Sequence, residues 1–199
     1  MVETWRFDPA GGRFSSTAAM DEHLIHEWNR TVPPNGIVFH LGDVCFQNRV
    51  DMWATLSVLH GEIHLIRGNH DRQVIQQYPE RFASIHEYLE LSIRDGEVRA
   101  EHPTQKVVLC HYAFRTWNRA HFQAWNIHGH SHGNLPRIGG QLDVGVDDKR
   151  ITTEYRPLAY AEIAAHLATK PYIPVDHHEG RVKDVDLQRQ DAKDREQFG

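Results

Sequence analysis

The chain has 199 residues, 40% hydrophobic and 25% charged, which suits a soluble globular fold with a sizeable core and excludes a disordered or fibrous class. A formal net charge of −5 at pH 7 excludes a general basic footprint for nucleic acid or an anionic membrane surface, while a local basic groove stays compatible with it. The two cysteines, Cys45 and Cys110, form no C-x-x-C pair and read as reduced thiols of a cytoplasmic protein; no apolar run reaches the length of a membrane helix, and no signal-peptide pattern follows Met1.

In chain order, residues 18–30 space Met20, Leu24, Ile25 and Trp28 along one face of a helix, with Ser and Thr ahead of it able to cap. The run GIVFHLGDV predicts a short buried strand closed by Gly42-Asp43. Residues 48–59 predict a helix with Val50, Trp53, Leu56 and Leu59 on one face; EIHLIRGNH predicts a second buried strand and DRQVIQQY a short helix. Residues 84–94 and 97–101 predict a β-pair turning at Asp95-Gly96. KVVLCHY, AWNIHGHSHG and QLDVGVD predict further strands, and PLAYAEIAAHLAT a helix with Pro157 at its start. From Lys170 the composition turns polar, which predicts a mobile extension, residues 170–199, on a domain of residues 1–169. Strands alternate with helices early and β-structure dominates later, the pattern of an α/β layered domain.

In such folds the ligand site lies beyond the carboxyl ends of the strands. The polar clusters fall there: Gly42-Asp43 after IVFHL, Gly68-Asn69-His70-Asp71 after IHLIR, His111 after VVLC, and Gly129-His130-Ser131-His132 after WNI. Glycines beside three of the four clusters let the backbone turn sharply. Asp43 offers a hard anionic oxygen able to bridge two cations, Asn69 a neutral carbonyl oxygen, and His111, His130 and His132 imidazole nitrogens. Oxygen and nitrogen donors without thiolate suit Mn²⁺, Fe or Zn²⁺ and suit Ca²⁺ poorly. His130 and His132 point to one side if their segment is extended, and could serve two adjacent metals if it is a bent loop. Taken singly, a Gly-Asp after a strand is usually a turn, an Asn-His a cap, and a His-x-His a surface feature. Four such clusters at separate strand ends are what a metal site requires.

The series Gly-Asp, Gly-Asn-His-Asp, His, Gly-His-x-His resembles the calcineurin-like metallophosphoesterase superfamily. VFHLGDV, IHLIRGNHD, HYAFRTW, HGHSHG and LDVGVD resemble its small bacterial and phage phosphoesterases, over residues 14–169 or so. The resemblance implies an α/β fold in which a two-sheet β-sandwich is flanked by helices in four layers. It implies one or two divalent ions, Mn²⁺, Fe or Zn²⁺, bridged by Asp43. Asn69, His111 and His130 would complete one metal, and His132 would bind the other. His70 would be the catalytic acid and Asp71 the acidic residue that orients it. The implied reaction is hydrolysis of a phosphomonoester or phosphodiester: a metal-bound hydroxide attacks phosphorus and His70 protonates the leaving oxygen. A nucleotide, a cyclic dinucleotide, nucleic acid or a small phosphodiester all fit as substrate, and no membrane partner is implied.

The family opens with an apolar strand ending in Asp-x-His, which supplies two ligands to the first metal. Here the stretch that follows that strand in the family is recognisable at Gly12 to Glu22, so a truncated start is expected, with one tight metal site and a second weak or empty. Asp21-Glu22-His23 is rejected as a substitute, because residues two apart on a helix point about 200° apart. Asp8 has no suitably spaced histidine; alternatively the segment Val2 to Phe7 could serve as a substitute strand, or another chain could donate one.

Several neighbours have weaker claims. Arg115 and Trp117 follow His111 and could contact substrate phosphate and leaving group, with core packing equally open to Trp117. His40 and His128 could back the ligand turns or be plain strand residues, Arg67 could meet a phosphate or turn away, and Cys45 and Cys110 read as small core residues. Asp176-His177-His178 lies near the tail and is set aside. The alternative to an enzyme is a catalytically impaired scaffold or protein-binding module, a use to which the same superfold is put in the retromer coat.

Overall fold

A computed structural model describes residues 14–44, 52–94, 103–146 and 148–169. Their contacts divide the described residues into two compact units, one holding those up to Glu87 with Thr152–Pro157, the other holding Tyr88–Ile151 and those from Leu158 onward. Cys45, Val50, the Asp95-Gly96 turn with residues 97–101, the segment Val2 to Phe7, Asp8, Asp176-His177-His178 and the polar extension lie outside the described residues.

The first unit begins with α1 (Thr17–Thr31), where the Ser16 hydroxyl accepts the Ala19 N–H at 3.0 Å, a cap of the kind expected. Met20 and Leu24 are buried as their spacing requires. The Trp28 indole N–H donates to the His60 carbonyl at 2.9 Å. The helix ends at Val32, ahead of Pro33, because a residue preceding proline is pushed out of the helical region. Then β1 (Ile37–His40), α2 (Met52–Val58), β2 (Glu62–Ile66), α3 (Arg72–Gln77) and β3 (Phe82–His86) form an all-parallel sheet in the order β1-β2-β3. Its core joins Met52 and Leu56 of α2, Ile63 and Leu65 of β2, Val74 of α3, Phe82 and Val44, with Trp28 packed against it. Each such aliphatic side chain contributes about 1.5–3 kcal/mol through its burial.

Two expectations fail in this unit. β1 is not buried: Ile37 is 66% and Phe39 37% exposed. On that face Phe39 stacks on His64 at 5.1 Å, while His64 bonds Ser84 Oγ at 2.7 Å and pairs with Glu62 at 3.1 Å. Among the described residues, the neighbouring strands present polar side chains there, and Ile37 and Phe39 pack into no core. In α2 the buried face carries Met52 and Leu56, whereas Trp53 is 43% exposed and rests at the rim, 5.4 Å from the Tyr78 ring.

Arg81 closes the end of α2. Its Nε–H donates to the Leu56 carbonyl and its Nη2 to the Leu59 carbonyl, both at 2.8 Å, and burial pulls its pKa below the usual guanidinium value. These carbonyls have no intrahelical partner, and a cation at a helix C-terminus is favourable. Arg81→Met is expected to lower the unfolding free energy by about 1–3 kcal/mol, the scale of losing charged hydrogen bonds, as read in urea melts.

The second unit is a four-stranded sheet in the order β4-β5-β6-β7, built from β4 (Tyr88–Arg94), β5 (Thr104–Cys110), β6 (Trp125–His128) and β7 (Gln141–Asp143), with β4 antiparallel to β5 and the rest parallel. The expected pair within 84–94 and 97–101 is corrected: β3 and β4 are separate strands of two sheets, split at Glu87, and β5 is the partner of β4. No Gly or Pro marks that break in sequence. α4 (Tyr160–Ala168) starts three residues later than Pro157 suggests, because the Ala159 N–H donates to the Glu162 carboxylate at 2.8 Å and Ala159 itself is extended. The protein is thus of mixed α/β class, with two sheets accompanied by helices. Among the described residues no helix is long and apolar enough to cross a membrane.

Candidate metal centre

In the first unit, parallel pairing of β1 with β2 brings the loops after them side by side. Gly42 (φ 92°) and Asp43 (φ 56°) both take the left-handed region, a conformation Asp tolerates better than most residues. Asp71 holds them there. Its carboxylate is fully buried; Oδ2 accepts the N–H of Asp43 at 2.9 Å and of Gly68 at 2.7 Å, and Oδ1 accepts the N–H of Val44 at 2.8 Å. Asp71 is therefore an anchor for both turns, a role that the expectation of an acid orienting His70 did not include. One oxygen of Asp43, Oδ1, accepts the His70 backbone N–H at 3.0 Å. Gly42 N–H donates to His40 Nδ1 at 3.2 Å, so His40 backs the turn as expected of one of its two readings. Asp43 and His70 are half-buried, and Asn69 is exposed.

In the second unit, His111 directly follows β5 and is 1% exposed, while exposed His130 lies two residues past β6. Their rings are 5.0 Å apart, and the Gly129 N–H donates to the His111 carbonyl at 3.1 Å, tying the two strand ends together. His130 (φ 64°) and His132 (φ 51°) are both left-handed, so the segment is the bent loop of the two alternatives. Tyr112, 45% exposed, lies 4.8 Å from each of the two histidine rings. Beneath, His128 donates through Nδ1–H to the Gly129 carbonyl at 2.9 Å and sits opposite Asp143 in the sheet. Burial pushes the His128 imidazole below its usual pKa and the Asp143 carboxyl above its own.

Asp43 of the first unit and the His111 and His130 pair of the second are carboxylate and imidazole donors of the kind that could hold a metal ion. One carboxylate and two imidazoles, with Cys110 buried inside the strand as a free thiol, match the chemistry of Mn²⁺, Fe or Zn²⁺.

No protein-family model matches this chain. It is 32% identical over 123 residues to the uncharacterized protein MJ1445 of Methanocaldococcus jannaschii, a match covering 61% of this chain and 58% of that relative. In fold it is similar to the crystal structure of the protein of unknown function AQ665 from Aquifex aeolicus, with a TM-score of 0.51 and 21% identity over 73% of this chain and 84% of that one. That likeness speaks for the fold alone.

The remaining expected residues divide. Trp117 is 7% exposed, donates its indole N–H to the Ala124 carbonyl at 2.8 Å and packs with Val108, Ala120 and Ala124, so the packing reading holds and its ring is not presented to a substrate. Arg115 is exposed. Arg67 turns away to Glu87 at 2.9 Å. Sequence reasoning missed Tyr112 and Asp143. An aspartate inside the apolar run QLDV was the available signal for the second, since a carboxylate in a buried strand needs partners.

Proposed function

We propose that this chain is a metal-dependent phosphoesterase with the fold of the calcineurin-like metallophosphoesterase superfamily, a two-sheet sandwich flanked by helices in four layers, and that it hydrolyses phosphomonoester or phosphodiester bonds. The observation that carries the reading is the pairing of His111 with His130 at adjacent strand ends, 5.0 Å apart, with Asp43 as the carboxylate donor that would join them on one ion. Asn69 would add a neutral oxygen to the same ion, and His132 would serve an adjacent one. A bound divalent cation supplies an activated water and neutralises charge developing on the phosphoryl oxygens.

The chain's own residues do the rest. Asp71 fixes the backbone of the Asp43 turn, so the ligand carboxylate is presented without reorganisation. The His70 backbone amide is bonded to that same carboxylate, which ties the general acid to the metal ligand. The His70 imidazole would donate its proton to the leaving oxygen, a step that contributes about 10²–10⁴-fold in rate. Exposed Arg115 would meet the phosphate of a nucleotide or other phosphate ester as a planar cation.

The test is hydrolysis of p-nitrophenyl phosphate and bis-p-nitrophenyl phosphate by the full chain. Turnover should disappear after chelation and return with Mn²⁺. Turnover indifferent to chelation, or none with Mn²⁺, Fe²⁺ or Zn²⁺, would overturn the reading; bound metal without turnover would favour the protein-binding alternative.

A further inference from the structure

The turn that carries His130 and His132 takes a conformation that needs support. His130, His132 and Gly133 are all left-handed, with φ of 64°, 51° and 71°. For non-glycine residues this conformation persists only where surroundings over-determine it. Local backbone bonds, Ser131 N–H to the Gly129 carbonyl at 2.7 Å and Asn134 N–H to the Ser131 carbonyl at 2.9 Å, close the turn but do not fix it to the sheet.

Asp143 makes that connection. It is the last residue of β7 and is 5% exposed. Oδ2 accepts the Gly133 N–H at 2.9 Å and Oδ1 accepts the Gly145 N–H at 2.9 Å. The Val144 N–H donates to the His128 carbonyl at 2.9 Å, so the strand bearing the carboxylate is itself bonded to the strand that launches the turn. Behind Gly133 stands a second support. The Asp148 carboxylate, 2% exposed, receives the Arg150 guanidinium at 2.9 and 2.8 Å, and a Cβ added to Gly133 would lie 2.8 Å from that carboxylate.

We propose that Asp143 is a positioning residue for the metal: by holding Gly133 and Gly145 it fixes the turn on which His130 and His132 stand. The proposal rests on the metal-site reading above. It parallels the first unit, where buried Asp71 holds the Asp43 turn through backbone amides. Both anchors act on the chain rather than on a ligand ring. The consequence is a pre-organised imidazole, and partners that orient ligands are worth about 10–100-fold in metal affinity.

The experiment compares Asp143→Asn with the unsubstituted chain and with Arg81→Met, which loosens the first unit without touching this turn. Mn²⁺ and Zn²⁺ affinity is measured by competition with a chromophoric chelator, and amide exchange at Gly133 and Gly145 by NMR on metal-free protein. The expected result is affinity about 10–100-fold weaker in Asp143→Asn, faster exchange at both glycines, and unchanged affinity in Arg81→Met. Unchanged affinity or unchanged exchange in Asp143→Asn overturns the proposal, as does an equal loss in Arg81→Met, which would make the effect one of general stability. If Asp143→Asn does not fold, Gly133→Ala disturbs the same turn and is read by the same outcomes. Failure of the unsubstituted chain to bind either ion would instead sink the metal-site reading itself, and the role of Asp143 with it.

Discussion

Asp71→Ala is expected to lower the unfolding free energy by roughly 3–5 kcal/mol, and the melting temperature by about 10 °C. The carboxylate is fully buried and accepts three backbone N–H groups, those of Asp43, Val44 and Gly68. Alanine would leave them without their acceptor in a region water reaches poorly, at about 1–3 kcal/mol for each group left unsatisfied, partly relieved by relaxation. Asp71→Asn keeps one acceptor oxygen but turns an amide N–H toward another donor, so it should fall between the two. Thermal and urea melts followed by circular dichroism provide the measurement. A loss below about 1 kcal/mol for alanine would mean the turns hold themselves, as surface substitutions away from such features do. Because the same turn carries Asp43, metal affinity should weaken alongside stability.

The second large effect is on rate. His70→Asn is expected to lower turnover of an ester with a poor leaving group by about 10²–10⁴-fold while leaving metal content unchanged. The penalty should shrink for p-nitrophenolate, which departs with little need of a proton. The backbone N–H that binds Asp43 survives the substitution, so the ligand stays oriented. Steady-state rates on the two kinds of substrate decide the matter. Equal penalties would assign His70 to phosphate binding or to structure.

Much of this architecture can be read in the sequence, and the reasons for the failures are specific. α1 is legible because Ser16 caps it and Met20 and Leu24 recur at helical spacing. β1 is legible as a strand but not by its burial. GIVFH is apolar on both faces, and whether Ile37 and Phe39 meet a core depends on Glu62, His64 and Ser84 of the strands beside it. The break at Glu87 carries no turn residue, so two strands of different sheets read as one. At the site, the side chains that could bind a metal are legible because donor residues close strand after strand. The groups that hold those turns are not. Asp71 and Asp143 act through backbone amides, which look alike in every sequence, and only the fold shows which amides they reach. Trp117 could have served either role on sequence grounds; its bond to the Ala124 carbonyl and its burial assign it to the core.

Phosphoesterase chemistry in this chain requires that Asp43, His111 and His130 hold a metal ion. The direct measurement is elemental analysis of the full chain after exhaustive dialysis and reloading with Mn²⁺ or Zn²⁺, with His111→Ala treated in parallel. Even residues that merely orient ligands change affinity by about 10–100-fold, so removing a ligand should do at least as much. The predicted result is stoichiometric metal retained by the unsubstituted chain and lost from His111→Ala. Metal absent from the unsubstituted chain, or retained equally by His111→Ala, would contradict it.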